Sequence, residues 1–383
     1  MKLLFALALL TLHGRCFPQS SEKLPAPAGQ FTVGTRVFYL TDHSRYDTSQ
    51  GLSRPVIVQV WYPADAGSGK GNMNYIPEKK MVDNMIATGY YTLDSSVLLP
   101  FYSLPTHSHT NASLVKGNQS FPFVFFSPGF GVSRSNYTWI YEYLASHGII
   151  VCAIDHLYEG TTVLSNGKIV DINMYPDTNY TNLDKNCLQD ISFLLNQLDK
   201  PSPLKTFFGT RIDRSRLGCA GHSFGGNLAL EAGIEDKRIR FAINIDGGDF
   251  QYIQGKNLQT PALFIREQPD YSPEELHKKG RDNEAWRAKA READSAFESH
   301  LVLSSFPAYQ LQVKGTGHFS FSDAIYLMPT LVTRFGGKIM SKEKVVDITC
   351  RSLRDFISGD NTKQKLNKLA AEYPEITLKI FHQ

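Results

Sequence analysis

Three residue types that together turn a weak hydroxyl into a nucleophile occur here in a suggestive order. The first is Ser223, centred in Gly221-His222-Ser223-Phe224-Gly225-Gly226, after the apolar run Leu217–Ala220 and before a helical stretch from Asn227. Glycines two positions to either side of a serine suit an abrupt strand-to-helix turn, where side chains would collide and the serine backbone is strained. The helix that follows turns its positive end toward the hydroxyl and toward negative charge developing beside it. Such a hydroxyl still needs a base to take its proton and an acid to orient that base. The next apolar run, Ile239–Ile245, ends in Asp246-Gly247-Gly248, and Asp246 lies 23 residues past the serine. That separation leaves room for one helix and one strand. Asp249 and Asp270 are rival acids. The candidate base is His318, in the glycine-containing loop after the run Tyr309–Val313. His277 and His300 fall in a charged helical stretch and His382 on the terminal tail, where solvation is the simpler reading.

Attack on a carbonyl by such a serine creates an oxyanion, which two main-chain N–H groups stabilise; losing one donor typically costs about 3 kcal/mol. Phe224, next after the serine, offers the first. Phe130, in Pro128-Gly129-Phe130-Gly131 directly after the run Phe121–Ser127, offers the second, with glycines that let the backbone come close. A glycine turn, a capping aspartate and a packed histidine are the bland alternatives; order and spacing favour chemistry. His222 reads as a local packing residue. Asp155-His156, closing the run Gly148–Asp155, reads equally as a pocket border or a turn, and Gln59 and Trp61 as structural.

A scaffold must bring these positions together. Runs of four to eight residues with little polar alternation (Phe121–Ser127, Gly148–Asp155, Leu217–Ala220, Ile239–Ile245, Ala262–Ile265, Tyr309–Val313) suit strands covered on both faces. Helical stretches separate them at Tyr137–Ser146, Leu183–Leu198 and Asn227–Ala232. Strand–helix alternation predicts a mostly parallel sheet flanked by helices, an α/β fold. Phe31–Leu40 and Val56–Tyr62 read as two earlier strands. Residues 64–119 form an excursion with a weakly helical middle at Lys79–Ala87, and two helices close the chain at Lys342–Ile357 and Thr362–Glu372.

The 383 residues are 42% apolar and 20% charged, enough for a sizeable core, and 40 basic against 37 acidic residues give a net charge of +3. So small an excess argues against nucleic acid or an anionic membrane as partner. Lys2, the apolar run Leu3–Leu12 and the polar residues after it have the form of a signal peptide, placed at residues 1–20 with an uncertain cut. This implies a secreted or periplasmic protein; residues 21–383 read as one domain, with no transmembrane segment. Cys152, Cys187, Cys219 and Cys350 offer no Cys-x-x-Cys spacing, so neither a metal nor a cofactor is expected. Sequons stand at Asn111, Asn118, Asn136 and Asn179.

The set Ile57–Pro63, Phe126–Gly131, Gly221–Gly226, Asp246 and Gly317-His318 resembles the secreted platelet-activating factor acetylhydrolases, relatives of bacterial lipases and polyester hydrolases within the α/β hydrolases. The likeness covers roughly residues 31–335. It implies an α/β-hydrolase fold and a calcium-independent serine esterase that cleaves short or oxidised sn-2 acyl groups of phospholipids. Ser223, Asp246 and His318 would be nucleophile, acid and base, and Phe130 and Phe224 the oxyanion donors. A lipase or polyester hydrolase, or a silent binding protein of the same fold, are the alternatives. The chain departs from plasma members in carrying Pro128-Gly129 where they carry His-Gly. It also has a longer Asp-to-His interval, 72 residues. The extra length forms a helical insertion at about 270–302, before the last core strand, where Trp286, Ala290, Ala293, Phe297 and Leu301 make one apolar stripe. Packing against the domain is the first reading of that stripe; a lid over the acyl pocket or a peripheral contact with a lipid interface is the second.

Overall fold

A computed structural model describes residues 23–382 apart from 178–181, 249–255 and part of 287–303. The segment 1–20 expected to be a signal peptide, together with Asn179, Asp249 and His300, lies outside the described residues. In chain order the strands are β1 (Thr32–Asp47), β2 (Leu52–Ala64), β3 (Asn72–Asn74), β4 (Pro105–Thr110), β5 (Phe121–Ser127), β6 (Ile150–Asp155) and a small hairpin, β7 (Thr162–Val163) with β8 (Ile169–Val170). Then come β9 (Ile212–His222), β10 (Ala242–Ile245), β11 (Ala262–Gln268), β12 (Ala308–Lys314) and β13 (Ile376–Phe381). All but the hairpin join one 11-stranded sheet in the order β3-β4-β1-β2-β6-β5-β9-β10-β11-β12-β13.

The block from β6 through β5, β9, β10 and β11 to β12 is parallel. Its strands are apolar without alternation because both faces are covered. All seven residues of β5 are buried, and successive side chains serve opposite sides of the sheet. Val124 and Phe126 join a core with Trp139, Ile243, Leu263 and Leu353, whereas Phe123 and Phe125 join a second core with Leu194 and Leu228. Helices Thr138–Ser146, Leu183–Asp199 and Phe224–Glu235 connect these strands. This is the α/β-hydrolase arrangement.

The excursion at 64–119 supplies the edge strands β3 and β4 and a helix at Lys79–Ala87. Met81, Val82, Met85 and Phe101 pack into the same core as the central sheet. β13 pairs antiparallel with β12. It escapes a sequence reading because only Ile376 of its six residues is buried. In the insertion, Ser272 and Glu275 form a reciprocal cap on the helix Pro273–Lys278. The described residues between 284 and 301 are helical. Of the anticipated stripe, Trp286 is exposed and Leu301 is buried beside Phe264 and Ala308; Ala290, Ala293 and Phe297 lie outside the described residues. All four described cysteines are buried free thiols, and no described helix is long and apolar enough to cross a membrane.

Candidate active site

The site forms at the carboxyl ends of β9, β10 and β12. β9 runs straight into Ser223, which caps the helix Phe224–Glu235 with φ 55° and ψ −121°. This is a left-handed conformation that side chains rarely tolerate. The neighbouring glycines are required on steric grounds. A Cβ on Gly221 would lie 2.2 Å from the Gly225 carbonyl group, and one on Gly225 would lie 2.0 Å from the Ser127 carbonyl oxygen. The Ser223 N–H donates to Ile245 O at 2.8 Å, locking the turn to β10. Asp246 leaves β10 with φ 54°. Beyond it, the Gly247 N–H donates to Asn244 Oδ1 at 2.6 Å. His318 opens a short helical turn after β12, whose Gly317 N–H donates to Ser320 Oγ at 2.9 Å.

These elements bring the three predicted side chains together. His318 Nε2 lies 2.9 Å from Ser223 Oγ, and its Nδ1 lies 2.6 Å from Asp246 Oδ2. A carboxylate only accepts, so Nδ1 carries the proton and Nε2 is left to accept from the serine hydroxyl. Burial works to lower the His318 pKa, and Asp246 more than offsets this, so it ends above the ordinary value. The rings of Phe224 and Phe130 meet edge to face, 6.2 Å apart. The amides on either side of Phe130 are tied down, Gly129 N–H to Tyr137 Oη at 3.0 Å and Gly131 N–H to Glu159 O at 2.7 Å. Asp270 stands elsewhere: it is exposed, and its main chain bonds to Gly336 and Lys338.

The sequence matches the family model for "Platelet-activating factor acetylhydrolase, isoform II" over residues 17–165 and a "PET hydrolase-like" model over residues 106–279. A probable 1-alkyl-2-acetylglycerophosphocholine esterase of Arthroderma benhamiae is 29% identical over 250 residues, 60% of this chain and 60% of that one. Bovine (Bos taurus) platelet-activating factor acetylhydrolase is 26% identical over 303 residues, 67% of this chain and 65% of the relative. The matched stretch thus spans under two thirds of these curated relatives. The solved structure of a ferulic acid esterase from Streptomyces cinnamoneus superposes with a TM-score of 0.72 at 26% identity, covering 93% of this chain and 99% of the other. The chain is thus similar to the platelet-activating factor acetylhydrolases over part of its length and shares the α/β-hydrolase fold of a solved esterase.

Four features of this site are absent from local sequence patterns. His222 Nε2 lies 2.9 Å from the His318 carbonyl, so it must donate, and its Nδ1 accepts from Tyr137 Oη at 3.0 Å. His222 therefore links the loop of Phe130 to the loop of His318. Burial, then the nearby His318, drives its pKa far down and keeps it neutral. Second, the excursion delivers Tyr90 and Tyr91 to the cavity beside Ser223, which holds about 30 Å³ and is also lined by Phe130, Phe319 and Met328. Third, Glu267 donates its main-chain N–H to Asp246 Oδ1 at 2.8 Å.

The fourth is a second serine–histidine–aspartate set with no access to solvent. His156 lies 3.0 Å from both Ser127 Oγ and Asp190 Oδ2, all three are buried, and Asp190 is also paired with Arg54 at 2.7 Å. Asp155 likewise holds the buried Arg134. Neither Asp155 nor His156 lines the cavity; they brace the sheet beneath it, as do Gln59 through Arg134 and Trp61 against Tyr141. His156, Glu159 and Cys187 stand close enough to hold a metal ion. Both ring nitrogens of His156 are already engaged, however. A much larger groove, about 700 Å³, is lined by Arg240, Phe241, Tyr309 and Phe356, away from the serine.

Proposed function

We propose that the protein is a serine carboxylic-ester hydrolase that removes short or oxidised acyl groups from the sn-2 position of phospholipids without calcium. One observation carries the reading: a serine on a left-handed turn with its hydroxyl 2.9 Å from an imidazole that a carboxylate grips from behind at 2.6 Å. Ser223 Oγ attacks the ester carbonyl carbon while His318 Nε2 takes its proton, and Asp246 stabilises the imidazolium that results. Main-chain N–H groups of Phe130 and Phe224 receive the oxyanion. His318 then protonates the departing alcohol oxygen. It next takes a proton from water as that water attacks the acyl-serine, and returns it to Ser223 as the acid leaves.

The small aromatic cavity supports a short acyl group: 30 Å³ is room for about two water-sized groups. The family's named acetylhydrolases support the phospholipid. Export rests on the apolar run after Lys2. The PET hydrolase-like match favours polyesters as a second substrate class.

The test is hydrolysis of p-nitrophenyl esters of rising chain length and of sn-2-acetyl phospholipid, with and without EDTA. Acetate should be preferred, EDTA should have no effect, and Ser223→Ala should lower kcat by at least about a thousandfold. Turnover that survives Ser223→Ala, or a phosphonate probe bound at another residue, overturns the mechanism. Cleavage of soluble and polymeric esters with none of phospholipid hands the assignment to the second class.

A further inference from the structure

The esterase reading leaves one carboxyl group beside the three reacting side chains without a part. Glu267 lies near the end of β11, the strand next to β10, and its main-chain N–H holds Asp246 Oδ1. Its own Oε2 is buried and finds no hydrogen-bond partner among the described residues. An acid so placed is costly to ionise and costly to leave unpaired, which makes its presence next to the orienting aspartate a feature to explain. The charged and titratable groups facing it come from three places: Asp246 after β10, His318 after β12, and Tyr271 and Arg281 in the segment after β11. Arg281 belongs to the insertion, where its guanidinium lies over the rings of Tyr271 and Trp286 at 5.8 and 5.4 Å.

We propose that Glu267 is a positioning residue that links the protonation of His318 to a second carboxyl group, with Arg281 of the insertion as its counter-charge. This rests on the assignment of His318 as the base. Burial, then Asp246, lifts the Glu267 pKa to about 8, and His318 and Arg281 oppose that rise. Glu267 in turn acts to raise the His318 pKa, after Asp246. With Glu267 protonated, His318 faces one negative charge and releases its proton readily; with Glu267 ionised it faces two and holds on longer. Loss of the free base toward acid is then spread over two linked ionisations rather than one.

The full chain is tested by two readouts. In kcat/KM against pH, the wild-type acid limb should be broader than a single ionisation. Glu267→Gln should sharpen it to one and move its midpoint about half a pH unit down, a roughly threefold gain in relative activity on the limb. The plateau should stay within about threefold. The second readout needs no turnover: the His318 ring is titrated by NMR in a Ser223→Ala background, with and without Glu267→Gln. A lower His318 midpoint in the Gln variant supports the linkage, whereas an unchanged midpoint overturns it even if no ester is ever found. Should Glu267→Gln not fold, Arg281→Ala serves instead. It should move the upper ionisation to higher pH, and an unmoved upper ionisation removes Arg281 and the linkage with it.

Discussion

Ser223 and Asp246 both hold left-handed backbone, φ 55° and 54°, at the two strand ends where they meet His318. Each such residue costs on the order of 1–3 kcal/mol, and the surrounding structure has to impose it. For Ser223 the means are visible: Gly221 and Gly225 let the helix start run against β5 and β9 without side chains between. Gly225→Ala would place a methyl 2.0 Å from Ser127 O and 2.3 Å from Pro128 O, both main-chain atoms that cannot step aside. We expect at least about 3 kcal/mol of destabilisation, read as a drop in the urea midpoint, together with loss of ester turnover. This requirement was legible in the sequence because it is local: the glycines lie two residues from the serine they serve. Asp246 and His318 were legible for a related reason: Asp246 follows directly on one apolar run, and His318 stands five residues past another, in a glycine-containing loop. Glu267 and Tyr137 were not. Their partners lie 21 and 85 positions away, and nothing in their own neighbourhoods marks them.

At the level of elements, the central strands announce themselves by unbroken apolar runs, and β5 was placed to the residue. The excursion at 64–119 hides its role, because what matters is where its loops land. Gly89 (φ 69°), Tyr91 (φ 48°) and Thr92 (φ 58°) turn the chain sharply after the helix Lys79–Ala87. This lays Tyr91 against Phe319, the residue after the base, with ring centroids 5.3 Å apart. The Tyr91 hydroxyl also comes within 3.5 Å of where a Cβ on Gly131 would stand. Tyr91 thus forms part of the cavity wall beside Ser223. Tyr91→Ala should enlarge the cavity and shift preference toward longer acyl chains. The ratio of kcat/KM for hexanoate over acetate esters should rise about tenfold, the low end of what one or more methylenes are worth in an apolar pocket. An unchanged ratio in a folded variant would place the acyl group elsewhere. The insertion, by contrast, was legible as a helical stretch but not in its contacts. Its Trp286 is exposed, and its Arg281 lies over the rings of Tyr271 and Trp286.

Across the whole molecule, buried carboxyl groups stitch the excursion and the later loops to the helix Thr138–Ser146, and they set how stability responds to pH. Asp323, after β12, accepts from the N–H groups of Thr138 and Trp139 at 2.8 and 3.2 Å. Glu142, on that helix, accepts from His107 N and Ser108 Oγ of β4 at 2.7 and 2.5 Å, while its Oε2 has no partner among the described residues. Burial raises both pKa values to about 7, from 3.8 for Asp323 and 4.5 for Glu142. Because the folded-state values are the higher ones, their contribution to stability is complete below the unfolded pKa and is lost as pH rises through about 7. The buried Asp190 behaves oppositely. Burial would raise its pKa, but Arg54 overcomes this and holds it below the usual range, so its contribution is lost only in strong acid. The protein should therefore be more stable near pH 5.5 than at pH 8, by about 2 kcal/mol per raised group, the share of the shift that falls between pH 5.5 and 7. Glu142→Gln isolates one of the two. The amide oxygen can accept the same two hydrogen bonds, and no charge has to be buried. Its urea midpoint should match or exceed wild type at pH 8 and change less between pH 5.5 and 8. An equal pH dependence in variant and wild type would show that Glu142 holds the same charge folded and unfolded, leaving Asp323 as the source of any slope.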